Sequence, residues 1–452
     1  MKDARLKSRN CTFIIIVLAC FFLSLLLSGF AAQEAFSFKN TAVKRILDNG
    51  LTLIYQKDAS SAITVLQILI MGGKLAEPKG KEGLAYLTTR LALEIPDHSK
   101  AQKLMSQASR VYMMGLGDYS IINVTSLSEN LDETLKITSQ IMLDPLFSGL
   151  RIDLIKKQME YQKKRQEDDS INVGHNAALE KLFARTTYEG SVLGSEESLK
   201  EIKKKDIKSF YDNHFKAENM IVSAISDLEE EALTEILVNY LNQFPAGKPA
   251  EAKSTAVSLP EERDIFIEKD SKQYFISLAY PLPEVTAENY ILACMVEHLL
   301  GKGLNSRLWP LRYQKKLAYN VNTTATHMKY GGILEAYLET DKEKKEAALE
   351  ALREVLMELH ENGVTSEELE VTKSYSKASF LRDNETKTDR SRNLAVFEAL
   401  GLGYEFLEKV ADEIDVVSLE ELNAYIKRVL DPAQGIEVVV GPKEDKRSHL
   451  NI

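Results

Sequence analysis

The sequence GLAYLTTRLAL, residues 83–93, predicts the element around which the fold is built. Its leucines recur at i, i+3 and i+7, a spacing that predicts a helix with one apolar face against the core. A second face carries side chains at i, i+3 and i+4, which are Tyr86, Thr89 and Arg90. The run AITVLQILIMGGK (62–74) precedes this helix and is typical of a buried strand that ends at glycine. The stretch therefore predicts a strand followed by a helix.

The same order of elements recurs in the second half of the chain. There the extended run YFISLAYPLPEV (274–285) leads into the apolar helix YILACMVEHLL (290–300). Both copies close with a helix near a tyrosine and an apolar strand, in DIKSFYDNHFKAENMIVSAIS (206–226) and LEELNAYIKRVLDPAQGIEVVVG (419–441). The period is far longer than that of solenoid repeats, so we predict one duplicated α+β unit.

A linker separates the two copies. AGKPAEAKSTAVSLPEE (246–262) is rich in Ala, Pro and Lys and has no apolar period. It leaves an N-terminal domain at 42–245 and a C-terminal domain at 263–445, each of ordinary domain size. In the second domain, Thr365 with Glu368 predicts a capping box at the start of a helix.

Residues 1–31 form a predicted targeting segment. Four basic residues within the first nine precede the apolar run CTFIIIVLACFFLSLLLSGF (11–30). We expect cleavage as a secretory signal peptide near Ala31, and the length of the run also allows an uncleaved anchor. Both options leave the rest of the chain outside the cytoplasm, because the basic flank stays inside. We therefore expect a periplasmic protein that meets the membrane only through this segment.

Charge and cysteine content exclude several classes of protein. Without residues 1–31 the chain keeps 53 basic and 66 acidic residues, and no basic run is longer than the KKK at 203–205. A net charge of −13 argues against nucleic acid as a partner. Cys294 is the only cysteine that remains, so we expect neither an intrachain disulfide nor a cysteine metal cluster.

Motifs of common enzyme classes are missing from the sequence. No two of the seven histidines lie four residues apart, so no helical histidine pair exists. Glu297-His298 has no second histidine on its helix, and we expect a capping or surface histidine there. The chain also lacks a G-x-S-x-G elbow, a P-loop and a G-x-G-x-x-G fingerprint.

Five segments, taken in order, resemble the insulinase/pitrilysin family of zinc endopeptidases. The likeness extends over about residues 42–445 and depends on the order and spacing of the segments. They are LDNGLTLIYQKD (47–58), GGKLAEPKGKEGLAYL (72–87), DPLFS (144–148), TTYEGSVLGSEESLKEIKKKDIKSFYDNHFKAENM (186–220) and GLNSRLWPLRYQKKLAYNV (303–321).

The resemblance assigns four positions of a zinc site that has lost its chemistry. The family helix reads H-x-x-E-H, with two zinc-binding histidines and a glutamate that activates water, and these positions are Tyr86, Thr89 and Arg90 here. The third ligand, a glutamate on a later helix, corresponds to Gln162, with Glu160 close by. Catalytic zinc needs three protein ligands and an open position, which this set does not supply. We therefore expect no zinc and no general base in this chain.

The second half keeps a different motif of the family. In the family, an Arg and a Tyr on the half opposite the zinc donate hydrogen bonds to the substrate carbonyl and stabilise the oxyanion. LRYQKKLAY (311–319) resembles that motif, with Arg312 and Tyr319 at the two positions. The alternative is that these two side chains only pack and pair within the fold.

Some bacterial members of the family divide the site between two chains, and this sequence resembles the chain without the zinc motif. We therefore predict a noncatalytic subunit of a heterodimeric zinc metalloendopeptidase that acts on peptides, with zinc held by a homologous H-x-x-E-H partner. One alternative is a scaffold or binding protein with no proteolytic role, like the core subunits of respiratory complexes that share the fold. Another is a stand-alone hydrolase with a displaced metal site.

The resemblance also implies the architecture. It predicts an α+β fold of two homologous halves, each a mixed β-sheet with helices on one face, arranged as a clamshell. An extended peptide is expected to add to a sheet edge near YMMGLGDYSIINV (112–124). The family usually has an asparagine early on that edge strand, where this chain has Tyr112 or Met113, so the departure weakens the expectation for this half.

Overall fold

The first half of the chain forms a six-stranded mixed sheet in a computed structural model, which describes residues 42–95, 97–247 and 261–443. The strands are β1 (Val43–Ile46), β2 (Thr52–Lys57), β3 (Ile63–Met71), β4 (Arg110–Gly115), β5 (Tyr119–Leu127) and β6 (Met220–Ser226). They lie in the order β1-β2-β6-β3-β5-β4, with β2 and β6 parallel and all other neighbours antiparallel.

The second half forms a five-stranded sheet with the same topology. Its strands are β7 (Asp264–Glu268), β8 (Gln273–Leu282), β9 (Asn320–Met328), β10 (Gly331–Asp341) and β11 (Ile436–Gly441). The order β7-β11-β8-β10-β9 repeats β2-β6-β3-β5-β4, including the single parallel pair, here β7 with β11. The predicted α+β fold of two homologous halves is confirmed.

The helices also follow the duplicated order. Those of the first half are α1 (Leu84–Ala92), α2 (His98–Ser106), α3 (Leu131–Leu143), α4 (Gly149–Glu167), α5 (Ser170–Leu182), α6 (Glu196–Glu201), α7 (Lys204–His214) and α8 (Glu230–Leu241). Those of the second half are α9 (Ala287–Gly301), α10 (Trp309–Tyr313), α11 (Lys345–Asn362), α12 (Ser366–Arg382), α13 (Lys387–Ala399), α14 (Phe406–Val416) and α15 (Leu419–Val429). By their place after equivalent strands, α1 corresponds to α9, α4 to α12 and α5 to α13.

The strand β3 illustrates why the central strands are apolar throughout. Leu66, Ile68 and Ile70 belong to the core under the helices of the same half, which include α3 and α8. Leu69 points to the opposite face and packs with Ala395 of α13. A strand covered on both faces needs apolar residues at nearly every position, which explains the continuous run seen in the sequence.

Two helices are exchanged between the halves. The helix α13 of the second half packs across β3 and β6 of the first sheet, and α5 of the first half packs across β8 and β11 of the second sheet. Each sheet therefore has helices of its own half on one face and a helix of the other half on the opposite face. One buried cluster accordingly joins the halves, with Leu182 of α5 beside Phe275 of β8.

The helix α13 is fixed to the first half by buried polar groups. The ammonium of Lys387, which is 9% exposed, donates to the backbone carbonyls of Asp58, Ser61 and Ile63 at 2.6, 2.8 and 2.9 Å. The guanidinium of Arg390 forms an ion pair with the carboxylate of Asp58. These bonds satisfy groups that would otherwise be costly to bury, so they specify where α13 docks.

The exchanged helix α5 makes the matching contact in the other direction. Gly174 lies so close to β8 that a Cβ atom there would stand 2.1 Å from Cε1 of Phe275. One residue along, Nδ1 of His175 lies 2.7 Å from the carboxylate of Glu335 on β10, and Glu335 is buried. The close approach of the helix backbone to the sheet thus requires glycine.

Two local predictions can be compared with the structure. The hydroxyl of Thr365 accepts from the backbone N–H of Glu368 at 3.2 Å, and the Glu368 carboxylate accepts from the backbone N–H of Thr365 at 3.0 Å, which confirms the capping box. The targeting segment at 1–31 and residues 248–260 of the linker lie outside the described residues. Within the described ranges, no helix is both long enough and apolar enough to cross a membrane.

We predict that Gly174→Ala destabilises the protein by about 1–3 kcal/mol, the usual effect of overpacking. In an exposed helix the same change would stabilise by up to about 1 kcal/mol, so the sign isolates the contact with Phe275. Gly149→Ala is the matched control, because a Cβ there meets nothing within 4 Å. Urea unfolding midpoints measure both variants, and a Gly174→Ala variant as stable as the wild type would contradict the proposed packing.

Candidate functional site

The helix α1 begins just after a glycine with a positive φ angle, and a partly buried glutamate binds the first backbone N–H groups of the helix. Gly83 precedes the helix with φ of +93°, where a side chain would be strained. The carboxylate of Glu77 accepts from the backbone N–H of Gly83 at 3.1 Å and of Ala85 at 2.8 Å. Burial raises the pKa of Glu77 to about 8, against the opposing charge of Lys74 and these backbone bonds. This cap fixes the orientation of the helix and of its second face.

Tyr86 and Gln162, which the resemblance aligns with the first and third zinc ligands, lie within hydrogen-bond distance of each other. The Tyr86 hydroxyl donates to Oε1 of Gln162 on α4 at 3.0 Å. The Tyr86 ring covers the end of β4, since a Cβ at Gly115 would stand 2.7 Å from its Cδ2. The Tyr86 ring thus fills the space between α1, α4 and β4, and its hydroxyl is bonded to the neutral amide of Gln162.

The remaining two positions also have structural partners. Thr89 is 1% exposed, and its hydroxyl donates to the hydroxyl of Ser120 on β5 at 3.2 Å. The Arg90 guanidinium pairs with Glu94 at 2.5 Å, and Arg151 of α4 pairs with the same carboxylate at 2.8 Å. Arg90 therefore belongs to an ion-pair network between α1 and α4.

These four side chains do not fit a zinc ion. A neutral phenol, a hydroxyl and an amide are poor zinc ligands, and the guanidinium of Arg90 brings a fixed positive charge. Across the described part of the chain, no group of three or more His, Cys, Asp or Glu side chains is placed to hold a metal ion. The four positions that the resemblance assigns to a zinc site thus offer no ligand set.

Sequence reasoning missed a related pattern on α9, the counterpart of α1. Cys294, Glu297 and His298 follow the spacing C-x-x-E-H, which differs from the family motif only by a cysteine in place of the first histidine. A search for histidine pairs alone overlooks it. An alignment of the two copies of the repeat that places Glu297 opposite Thr89 would have revealed the C-x-x-E-H pattern.

The α9 side chains line a cavity of about 320 Å³. Nδ1 of His298 lies 2.8 Å from the Ser376 hydroxyl of α12, and burial lowers the pKa of His298 to about 4. Burial also raises the pKa of the Cys294 thiol, while Glu297 pairs with Lys302 at 3.3 Å. The expectation of a capping or surface histidine was wrong, because His298 lies between α9 and α12.

Arg312 is exposed and stacks on an aromatic ring. Its guanidinium carbon lies 5.2 Å from the ring centre of Trp309, one helical turn earlier on α10. Within the described residues the guanidinium has neither a carboxylate nor a hydrogen-bond acceptor. Stacking restrains the side chain while its N–H groups stay available, which suits recognition of a carbonyl or carboxylate from outside the chain.

Tyr319 immediately precedes the edge strand β9 and is 54% exposed. Its hydroxyl donates to Oδ2 of Asp341 at 3.0 Å, and Lys344 pairs with the same oxygen at 3.1 Å. The hydrogen bond to Asp341 raises the pKa of Tyr319, so the phenol stays protonated at neutral pH. Within the described residues, neither Tyr319 nor Arg312 bonds to any of the four degenerate zinc positions.

The region that we predicted to accept an extended peptide, near residues 112–124, includes the edge strand β4. β4 pairs with β5 and, on its other side, with no described strand. Tyr112 is partly buried, and the Arg110 guanidinium lies 5.0 Å from its ring centre. The edge is geometrically open to an added strand, although Tyr86 covers its end at Gly115.

Comparison with known proteins places both halves in one family. Residues 52–196 match the model of the insulinase family, peptidase family M16, and residues 201–375 match the model of the peptidase M16 inactive domain. A Helicobacter pylori protein named non-peptidase homolog YmxG is 24% identical over 413 residues, which cover 90% of this chain and 95% of that protein.

Solved structures agree at the level of the fold. A peptidase M16 inactive domain from Pseudomonas fluorescens has a TM-score of 0.83 at 21% identity and covers 90% of this chain and 99% of its own. A chain of complex III2 from Candida albicans has a TM-score of 0.76 at 15% identity, covering 88% of this chain and 95% of its own. The two family models together cover most of the chain, so the chain belongs to the M16 peptidase family, and its sequence lacks the H-x-x-E-H zinc motif.

Proposed function

We propose that this chain is the noncatalytic subunit of a two-chain zinc metalloendopeptidase. The observation that carries the proposal is the contrast between its two motifs. The zinc positions are filled by side chains with internal structural partners, such as Tyr86 with Gln162. Arg312, by contrast, is stacked and exposed and has no internal acceptor in the described chain. A chain with this pattern would contribute Arg312 and Tyr319 to a site completed by a homologous H-x-x-E-H partner.

In such a site the two side chains would act on the substrate carbonyl. Arg312 would donate charge-assisted hydrogen bonds to the carbonyl oxygen as negative charge develops on it. The Tyr319 hydroxyl would donate to the same oxygen after exchanging its exposed bond with Asp341. Both contacts strengthen as the oxyanion forms, so they would accelerate the chemical step more than they improve peptide binding.

A scaffold role is the second candidate. It is favoured by the fold likeness to a chain of complex III2 and by a relative named as a non-peptidase homolog. Such a role would require the folded surface of the chain but neither Arg312 nor Tyr319 in particular. Under either role we propose a location outside the cytoplasm. The support for this location is the basic start and the apolar run of residues 1–31, which are typical of a targeting segment.

We predict that the dialysed chain retains no stoichiometric zinc, because Tyr86, Thr89, Arg90 and Gln162 offer no ligand set. Restoring the first three positions with Tyr86→His, Thr89→Glu and Arg90→His should still give weak binding, since the third ligand is missing. Adding Gln162→Glu should create a tight site, because the Tyr86 hydroxyl and the Gln162 amide are 3.0 Å apart. Elemental analysis measures all three proteins, and one tightly held zinc in the unmodified chain would contradict the account of the site.

We predict the effect of Tyr319→Phe on the complex of this chain with its H-x-x-E-H partner, called the reconstituted pair. The substitution should lower kcat by a factor on the order of 10²–10³, the effect of removing one oxyanion donor. KM should change less, because the contact strengthens only in the transition state. Arg312→Lys should also be impaired, since the ammonium loses the planar fork of donors.

Dimer formation, checked by size-exclusion chromatography, is the control for these variants. Tyr313→Phe is the matched substitution, since it also removes one exposed phenol hydroxyl on the same segment. Wild-type turnover for both Tyr319→Phe and Arg312→Ala in an intact dimer would favour the scaffold role.

A further inference from the structure

The helix α4 carries a second apolar stripe, which faces outward. Its inner face belongs to the core, because Ile155 and Met159 are buried in one cluster with the leucines of α1. On its outer face Leu150, Leu154 and Tyr161 are 81%, 43% and 65% exposed. At about 100° per residue, these three side chains lie within an arc of about 40° and therefore form one stripe along the helix.

Two exposed lysines complete the stripe. Lys157 and Lys164 lie on the same face, so the exposed positions are 150, 154, 157, 161 and 164, at steps of four, three, four and three residues. This is the heptad spacing by which one helix packs along another. Within the described ranges, neither ammonium has a carboxylate partner. We call these five side chains the α4 seam.

The fold does not require the α4 seam, because the duplicated half has a different face at the equivalent place. On α12, the counterpart of α4, the exposed positions at the same spacing are Glu367, Val371, Ser374 and Ala378. Only one of these residues is large and apolar, and none is cationic. The outer face of such a helix can therefore be small and acidic, and the content of the α4 seam indicates a contact outside the chain.

The lysines restrict what can bind the α4 seam. Lys157 is the central residue of the five, so an antiparallel pairing of α4 with α4 of a second copy would place Lys157 opposite itself. A parallel pairing would place each lysine opposite its own copy. Like charges in contact disfavour both arrangements. A helix with apolar residues opposite Leu150, Leu154 and Tyr161, and Glu or Asp opposite the lysines, would instead be attracted.

The α4 seam borders the degenerate zinc positions. Gln162 follows Tyr161 on α4, and its amide accepts the hydrogen bond from Tyr86 of α1. Two homologous chains that pair about an approximate twofold axis contact each other reciprocally. If the second half of this chain reaches the metal helix of its partner, the second half of the partner accordingly reaches α1 and α4 of this chain.

We infer that the α4 seam docks an acidic, amphipathic helix of the H-x-x-E-H subunit, and this rests on the proposed function in so far as that subunit is the partner. The seam is about 21 Å long and about 10 Å wide. That is roughly a quarter of the ~800 Å² that each side of a stable interface buries. The seam would therefore be the apolar centre of a larger contact, with Tyr161 as an anchor.

The affinity of the full chain for an H-x-x-E-H homologue measures the inference. Leu154→Ser should raise the Kd of the reconstituted pair roughly five- to thirtyfold, the effect of removing one apolar anchor. Val371→Ser is the matched control, since it removes a side chain of equal exposure, 42% against 43%, from the counterpart helix. Lys157→Glu should raise the Kd roughly tenfold, and more at low salt than at high salt.

The thermal midpoint of the isolated variants keeps docking separate from folding, because all three positions are exposed and their substitution should leave the midpoint unchanged. A wild-type Kd for both Leu154→Ser and Lys157→Glu would overturn the inference. So would an equal loss of affinity in Val371→Ser, because the effect would then not belong to the α4 seam.

A photo-crosslinker at position 161 identifies the occupant directly. Tyr161 is replaced by p-benzoylphenylalanine, the chain is mixed with the H-x-x-E-H homologue and irradiated, and the cross-linked peptides are sequenced by mass spectrometry. We expect cross-links to an acidic helix of the homologue. Cross-links between two copies of this chain, or none to the homologue, would contradict the assigned occupant.

A comparison of affinity with turnover separates this inference from the proposed function. If Tyr319→Phe lowers kcat while Leu154→Ser and Lys157→Glu bind as the wild type does, the subunit role stands and the α4 seam is wrong. If these two variants weaken the pair while Tyr319→Phe and Arg312→Ala turn over as the wild type does, the α4 seam is confirmed and the role in catalysis fails.

Discussion

The two halves of the chain are joined by an exchange of the helices α5 and α13 between their sheets. Each sheet has one face covered by a helix that belongs to the other half, so neither half buries its central strands alone. The polar groups of α13 reinforce this arrangement, because Lys387 donates to three carbonyls of the first half. The relative placement of α1, which carries the degenerate zinc positions, and of the 309–319 segment follows from this shared core.

The side chains on the second face of α1 bond to neighbouring parts of the protein. The glutamate cap at Glu77, the glycine at 83 and the approach of α4 fix the second face of the helix, which the resemblance assigns to metal ligands. In place of ligands, Tyr86 with Gln162 and Arg90 with Glu94 link neighbouring elements through neutral and ionic bonds. The helix α1 thus links neighbouring elements without a metal. Arg312 differs from these positions, because its guanidinium is exposed and stacks only on Trp309.

The sequence predicted those features whose signals are local or repeated. The apolar spacing of α1, the Thr365 capping box and the duplication of the strand-helix order were all visible in short stretches, and the structure contains each of them. The exchange of α5 and α13 was not predictable from such signals. Lys387 and Arg390 have the appearance of a solvated helix face, because their partners at Asp58 to Ile63 lie more than 300 residues earlier. The C-x-x-E-H pattern was missed for another reason, since its meaning depends on the structural equivalence of α9 and α1.

We propose that the chain completes an active site whose metal is held by a partner, and adding the chain to that partner is the direct test. A homologous H-x-x-E-H protein is held at fixed concentration, and the rate of peptide cleavage is measured as this chain is added. We expect little turnover without the chain, a linear rise as the chain is added, and a plateau at equimolar amounts. Full turnover by the zinc-bearing protein alone, unchanged by the addition, would contradict it.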